Sequence, residues 1–387
     1  MSLTSTTLRK APELTISSPR IAAHGLTAQF RPAHELSRFA MEIGALNASA
    51  LDPNPFCQPA ILESAIEGLA GAGDVSLLLV HDSRGILRGF APVLGPRLRR
   101  RPPGMLGRGL GAPHFANGMP LVDAGMPLAA EALVEGLTKT GGWRADFVDL
   151  SSPTVAALEQ AAGHVGAIRF VARERFARPV LTAVAGQTEP SGLSEDQIRD
   201  LVEAEDRLVA KYGPIRFERI IEDPQLSAAY EHFLMLEAEG AKGLAGKAVA
   251  ADPMLSGMLG RLLADQEDGA SLVIHKLSAG EHDIALGIGL IAGGRFTAFR
   301  QAVDERMKDF MPDLIFARHL TTDLIADERI SLADSAEVRP GGPLGSFWGG
   351  SVPTGTVMMG PSWRVQAERA LTHALHWGTD IARKLKR

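Results

Sequence analysis

The chain has 387 residues, 45% of them hydrophobic, a formal net charge of −5 and one cysteine, Cys57. That length can supply two full hydrophobic cores, and the acidic balance gives no electrostatic reason to expect DNA or a membrane surface as partner. One thiol excludes an internal disulfide, and no apolar run reaches the ~20 residues a membrane-spanning helix needs, which together suit a cytoplasmic setting.

In chain order, residues 1–25 are rich in Ser, Thr and Pro and lack a sustained period, so a flexible tail is expected there. Arg9 and Lys10 are followed by no apolar stretch, so no secretory signal is expected. Leu36, Phe39, Ala40, Ile43 and Leu46 mark a helix, which Asp52-Pro-Asn-Pro-Phe56 interrupts before a second at Ala60, Ile61, Ala65, Ile66 and Leu69. Val75–His81 and Ile86–Leu94 form a hairpin about Asp82-Ser-Arg-Gly85. A strand at Pro120–Asp123, a helix at Ala129–Leu137 and a strand at Phe147–Leu150 follow. Turn-rich residues 186–192 lead into a helix capped by Ser194 and closed by Tyr212-Gly-Pro214. Its acidic residues (Glu195, Asp196, Asp200, Glu203, Glu205, Asp206) outnumber Arg199, Arg207 and Lys211, which weighs against a tRNA partner.

The second half repeats the order of the first. After a strand at Ile215–Ile221, a helix containing Tyr230, Phe233, Leu234 and Leu236 stops at Gly240. Gly240, Gly243 and Gly246 then form a loop in which a backbone can approach a ligand closely. Lys242 stands at the end of that helix, as a C-terminal cation or a contact for an acidic ligand. Asp252-Pro253 restarts a helix to Leu263. Strands at Ser271–Leu277, Asp283–Ile291 and Arg295–Val303 lead through the polar loop 304–309 to a helix from Pro312 to Ala326, then a strand at 330–333. The repetition implies five segments: a tail (1–25), two tandem α/β domains (26–185 and 213–361), a linker helix (186–212) and a terminal amphipathic helix (362–387). On the last, Trp363, Ala367, Leu371, Leu375 and Ile381 share a face that the body or a second subunit, as in a homodimer, would cover.

Several motifs carry no chemistry. Gly287-Ile-Gly-Leu-Ile-Ala292 lies inside a strand and does not open a helix, so it is no dinucleotide site. Pro113 makes Arg108–Asn117 a structural loop. His373 and His376 have no third ligand nearby in sequence, and no metal is expected.

The glycine loop Leu236-Glu-Ala-Glu-Gly-Ala-Lys-Gly-Leu-Ala-Gly246, the Asp304-Glu-Arg loop and the Pro312-Asp-Leu314 helix start resemble the CelD-type proteins of bacterial exopolysaccharide and cellulose biosynthesis. Those belong to the GNAT acyltransferase superfamily and are related to FemAB-type transferases. The resemblance runs from about Phe30 to Gly360. It implies tandem GNAT-like domains, each a mixed, mostly antiparallel sheet flanked by helices. It also implies acyl transfer, with acetyl as the first candidate, from acyl-CoA to an amine or hydroxyl of a small-molecule or saccharide acceptor in envelope synthesis. On that template Ala302, Val303, Pro312, Asp313 and Leu314 would meet the CoA arm and diphosphate. Asp304, Glu305 and Glu237 are the catalytic candidates, each with the alternative of a cap or a solvated charge. Lys242, Gly243 and Arg300 would position the acceptor. Two departures stand out: Asp313 occupies the turn where relatives have a Ser-Pro-Gly type sequence, and the usual glycine pattern before the helix is absent. They leave open a catalytically silent binding or scaffold subunit, and a FemAB-like aminoacyl transferase is a further alternative.

Overall fold

The computed structural model describes residues 14–16, 18–68, 75–94, 106–109, 117–166, 168–182, 192–264 and 270–372. The chain forms two compact units, Met1–Asp52 with Leu69–Arg175 and Gly355–Arg387, and Pro53–Gly68 with Phe176–Thr354. Residues 53–68 thus belong with the second unit and the chain beyond 354 with the first, whereas the sequence suggests breaks at 185, 212 and 361.

The first unit opens with strand β1 (Leu14–Ile16) and helix α1 (Pro19–Ala23), where composition suggests a loose tail. β1 pairs antiparallel with β2 (Leu26–Pro32), and Ile16 and Ile21 are buried. Burying each isoleucine contributes roughly 1.5–3 kcal/mol, enough to anchor a short segment that polar composition makes look mobile. Helix α2 (Ala40–Ala48) precedes α3 (Pro59–Gly68), which lies in the second unit. Strands β3 (Val75–Asp82) and β4 (Leu87–Leu94) form the expected hairpin. β5 (Gly107–Arg108), β6 (Leu121–Val122), α4 (Ala129–Lys139), β7 (Trp143–Asp149) and α5 (Pro153–Val165) follow. The strand order is β1-β2-β3-β4-β5-β7, with β6 beside β4 and only β5–β7 parallel within it. Leu133, Val134 and Leu137 of α4 join its core with Leu78, Val80 and Trp143.

Strand β8 (Arg169–Thr182) passes from the first unit into the second. Its Arg-Glu-Arg run is exposed, so no alternation of apolar residues marks it in the sequence. Helix α6 (Glu195–Tyr212) is closed at its start by the reciprocal Ser194–Gln197 capping box. Its part in the fold is not that of a free linker: Leu201, Ala204 and Leu208 are buried, and Leu201 and Leu208 join the second core. Next come β9 (Ile215–Ile220), α7 (Gln225–Glu239), the short α8 (Ala241–Leu244) and α9 (Pro253–Ala264). β10 (Ala270–Ala279), β11 (His282–Ala292) and β12 (Arg295–Val303) form an antiparallel meander. Helix α10 (Pro312–Ala326) crosses to β13 (Leu332–Asp334), which pairs parallel with β12 and antiparallel with β8. In the second unit the strand order is β8-β13-β12-β11-β10-β9, mixed and mostly antiparallel.

β14 (Gly350–Gly360) returns the chain to the first unit. Residues 362–372 form a last helix, α11; its expected apolar face is only partly realised, because Trp363 is 60% exposed and the buried positions are Val365 and Glu368. Glu368 turns inward to accept from Arg144. His373, His376 and the closing basic run lie outside the described residues. No described helix is long and apolar enough to cross a membrane.

Candidate active site

β13 stops at Asp334, paired to β12 only along Arg295–Thr297, whereas β12 continues to Val303. From Ala298 onward no strand of the described sheet lies on that side of β12. Register against β11 slips between Ile288 and Gly289, so Phe299 is an extra residue bulged out of β12. A bulge re-aims the side chains around it. Here Ala298, Phe299, Arg300 and Gln301 all line one cavity of about 170 Å³.

Its other walls are apolar residues of the sheet and α10, with His275, Ser335, Glu337 and the turn at Gly342–Leu344. Gly287 belongs here for a steric reason. A Cβ on it would lie 2.4 Å from the Phe316 ring, so the sequence's glycine motif serves helix–sheet packing.

Two buried polar atoms on these walls have no hydrogen-bond partner: Glu337 Oε1 and Gln301 Nε2. Leaving such atoms unpaired costs about 1–3 kcal/mol each, which marks a place a ligand would fill. Glu337 is aimed by a strained turn. Ala336 has φ 51° and its N–H donates to Asp334 Oδ1 at 2.8 Å. A Cβ on Gly342 would fall 2.1 Å from Glu337 Oε1, so a side chain there would push the carboxylate aside. Burial pushes the Glu337 carboxyl above its ordinary range, with Asp334 adding to the rise while the Gly342 N–H and Arg178 oppose it. Asp334 is itself held by the buried Arg178 guanidinium at 2.7 Å.

His275 is 1% exposed, and its Nε2 lies 3.1 Å from Asp323 Oδ2 on α10. Burial holds the imidazole below its usual range; Asp323 opposes that shift and Arg219 reinforces it.

Of the residues singled out from sequence, Arg300 alone lines this cavity. Glu237, 2% exposed, accepts from Lys242 Nζ at 3.2 Å and from the Val249 N–H at 2.7 Å. Lys242 also donates to the Gln301 carbonyl at 2.6 Å, tying the glycine loop to β12 beside the site. Gly243 is packed on the Ala238 backbone, with no room for a side chain. Asp304 caps the 3₁₀ turn Glu305–Phe310 and pairs with Arg306, whose hydrogen bonds hold its carboxyl low. Glu305 is exposed and reaches the Ala241 N–H at 3.4 Å. Ala302 is buried and Val303 half-buried, both in the ladder with β11.

Pro312 opens α10, and the Leu314 N–H already donates to the Met311 carbonyl. The Asp313 carboxyl is raised by its packing and by Glu305, against Lys242. Two carboxylates at this helix start do not suit a diphosphate. Glu337, Gln301 and His275 were not singled out from sequence. The available signals were a lone acid just before the Pro-Gly-Gly-Pro run ending at Pro343, and one imidazole inside an apolar strand.

Residues 196–334, wholly within the second unit, match the family model described as an Acetyltransferase (GNAT) domain. No curated protein matches the chain. Among solved structures, FemX is similar at 12% identity and a TM-score of 0.52, over 82% of this chain and 95% of FemX. A conserved protein of unknown function from Bacteroides thetaiotaomicron has 9% identity and a TM-score of 0.51, over 85% and 98% of the two chains. These likenesses bear on the fold alone.

Proposed function

We propose that the second unit transfers an acyl group from an acyl thioester, acyl-CoA being the usual donor of GNAT domains, to an amine or hydroxyl bound in the cavity beside β12. The observation that carries this is the pair of unpartnered groups, Glu337 Oε1 and Gln301 Nε2, on one small cavity at the point where β12 outruns β13. An acceptor N–H or O–H satisfies the carboxylate and an acyl carbonyl satisfies the amide. That is the complement an acyl transfer requires. Glu337, raised by burial, takes the acceptor's proton as the new bond to the acyl carbon forms. A thiolate then leaves from that carbon.

Asp304, Glu305 and Glu237 are placed in this reading as supporting groups: a cap, a tether to the glycine loop, and a buried partner of Lys242. Lys242, Gly243 and Arg300 border the acceptor side, and Ala302, Val303, Pro312, Asp313 and Leu314 border the donor side. A saccharide acceptor in exopolysaccharide or envelope synthesis remains the substrate class we favour, in keeping with the resemblance of the glycine loop.

A second reading, a catalytically silent binding subunit, is favoured by one observation: the Asp313 and Glu305 carboxylates at the start of α10. Calorimetric titration with acetyl-CoA, longer acyl-CoAs and free CoA separates the two. Binding by the wild type supports the transferase. Binding only by Asp313→Gly supports the silent subunit, and silence from both removes CoA as the donor.

A further inference from the structure

We propose that His275, oriented by Asp323, is the second proton-transfer group of this cavity and protonates the departing thiolate. This rests on the transferase reading and adds the partner that Glu337 lacks.

Three observations converge on the imidazole. It lines the same cavity as Glu337 and Gln301, on the wall built by β10 and α10. Its ring is fixed, stacked on Phe217 at 5.7 Å and 23° and edge-on to Phe296 at 5.7 Å and 79°. Its Nε2 is committed to Asp323 Oδ2, so Nδ1 is the nitrogen left for a bound molecule. A carboxylate on one imidazole nitrogen sets the tautomer and stabilises the imidazolium when the other takes a proton.

The groups facing the ring complete the arrangement. Arg219 on β9 donates to the Asp323 carboxylate at 2.8 Å and also pairs with Asp327. His319 on α10 stacks on Phe217 at 5.6 Å and binds Glu205 of α6. Burial and Arg219 hold the His275 imidazole below its ordinary range, against Asp323. A neutral ring can accept a proton and pass it on.

The balance is as follows for an amine acceptor. The acceptor nitrogen forms a bond to the acyl carbon and the carbon–sulfur bond breaks. An ammonium acceptor sheds two protons to become the amide nitrogen. Glu337 takes one, which returns to solvent. His275 takes the other and gives it to the thiolate, which leaves as the thiol. No oxidant, reductant or metal enters.

The experiment uses the full chain, methylamine as an acceptor that is small enough for the cavity and an ammonium ion at neutral pH, and two donors that lack a diphosphate. S-acetyl-N-acetylcysteamine releases a basic alkyl thiolate, and an S-acetyl aryl thioester releases a weakly basic one. The variants are His275→Gln, Asp323→Asn, which keeps the ring, and Glu337→Gln. Expected for His275→Gln is a loss in kcat on the order of a hundredfold with the alkyl thioester. The aryl thioester restores most of it, because its thiolate needs no proton. Asp323→Asn is expected to show a smaller loss with the same rescue. Glu337→Gln is expected to lose turnover with both donors. Equal losses for His275→Gln on the two donors, or no loss on either, overturns the proposal while leaving the transferase reading intact. No turnover by the wild type above the uncatalysed rate sinks both.

Discussion

Each unit has a carboxylate close to its parallel strand pair, Asp146 buried and Glu337 half-buried, and the two are treated in opposite ways. In the first unit Asp146 on β7 is saturated. It accepts three hydrogen bonds from Arg144, one from Arg175 at 3.1 Å and one from Thr356 at 2.7 Å, and Arg108 stands 3.8 Å away. Burial alone would raise its carboxyl, but Arg144 and the other donors hold it below the ordinary range. In the second unit Glu337 has one long bond, from the Gly342 N–H at 3.4 Å, and an oxygen with none. Its carboxyl is raised. A buried carboxylate with every lone pair matched serves the fold, while one left short holds a place for something that arrives later.

Substitution at the unsaturated carboxylate gives the largest expected effect. Glu337→Gln should lower turnover by on the order of 10²–10⁴ while leaving the thermal midpoint unchanged or raised, measured by thiol release alongside a melting curve. An unchanged rate would remove Glu337 from the reaction. Asp146→Ala should do the reverse, destabilising the chain by about 3–5 kcal/mol because it strands Arg144 and its neighbours, as read from urea unfolding. A loss below about 1 kcal/mol would mean that the arginines find other partners.

The pH dependence sharpens the contrast, since the two signs differ. A depressed carboxyl contributes stability above its unfolded pKa and loses it as pH falls through the folded value; that is Asp146. A raised carboxyl contributes stability below its unfolded pKa and loses it as pH rises toward the folded value; that is Glu337. Glu337→Gln should therefore match wild type near pH 4 and exceed it near pH 7, within about 1–2 kcal/mol. Asp146→Asn should show its deficit near pH 7 and narrow it as the pH falls. Parallel urea midpoints across that range check both. The smallest effect concerns the start of α10, where Asp313→Gly should tighten acetyl-CoA binding about two- to fivefold. Calorimetry that finds weaker binding would show that Asp313 does not oppose the diphosphate.

The order of elements in the second half was legible because each leaves a local mark. Ser194 announces α6 and Pro312 opens α10. β14 and β8 left no such mark. β8 mixes an exposed Arg-Glu-Arg run with the buried Arg178, so no apolar alternation marks it, and its partners come from distant parts of the chain. The site was legible only in part. Arg300 stands at a strand end and lines the cavity, and Lys242 beside the glycines bonds the Gln301 carbonyl. Glu337 and His275 did not stand out, since a single acid before a Gly-Pro loop and a single imidazole in a strand are ordinary in any sequence.

By itself the sequence determined the α/β class, the repeated helix–hairpin pattern and the helix boundaries, because capping, periodicity and turn chemistry act over a few residues. The tertiary structure decided which charges are satisfied. Asp146 meets Thr356 across 210 positions and Arg178 meets Asp334 across 156. Whether a buried group is matched depends on partners that only folding brings within 3 Å, and that separates a structural carboxylate from a reactive one.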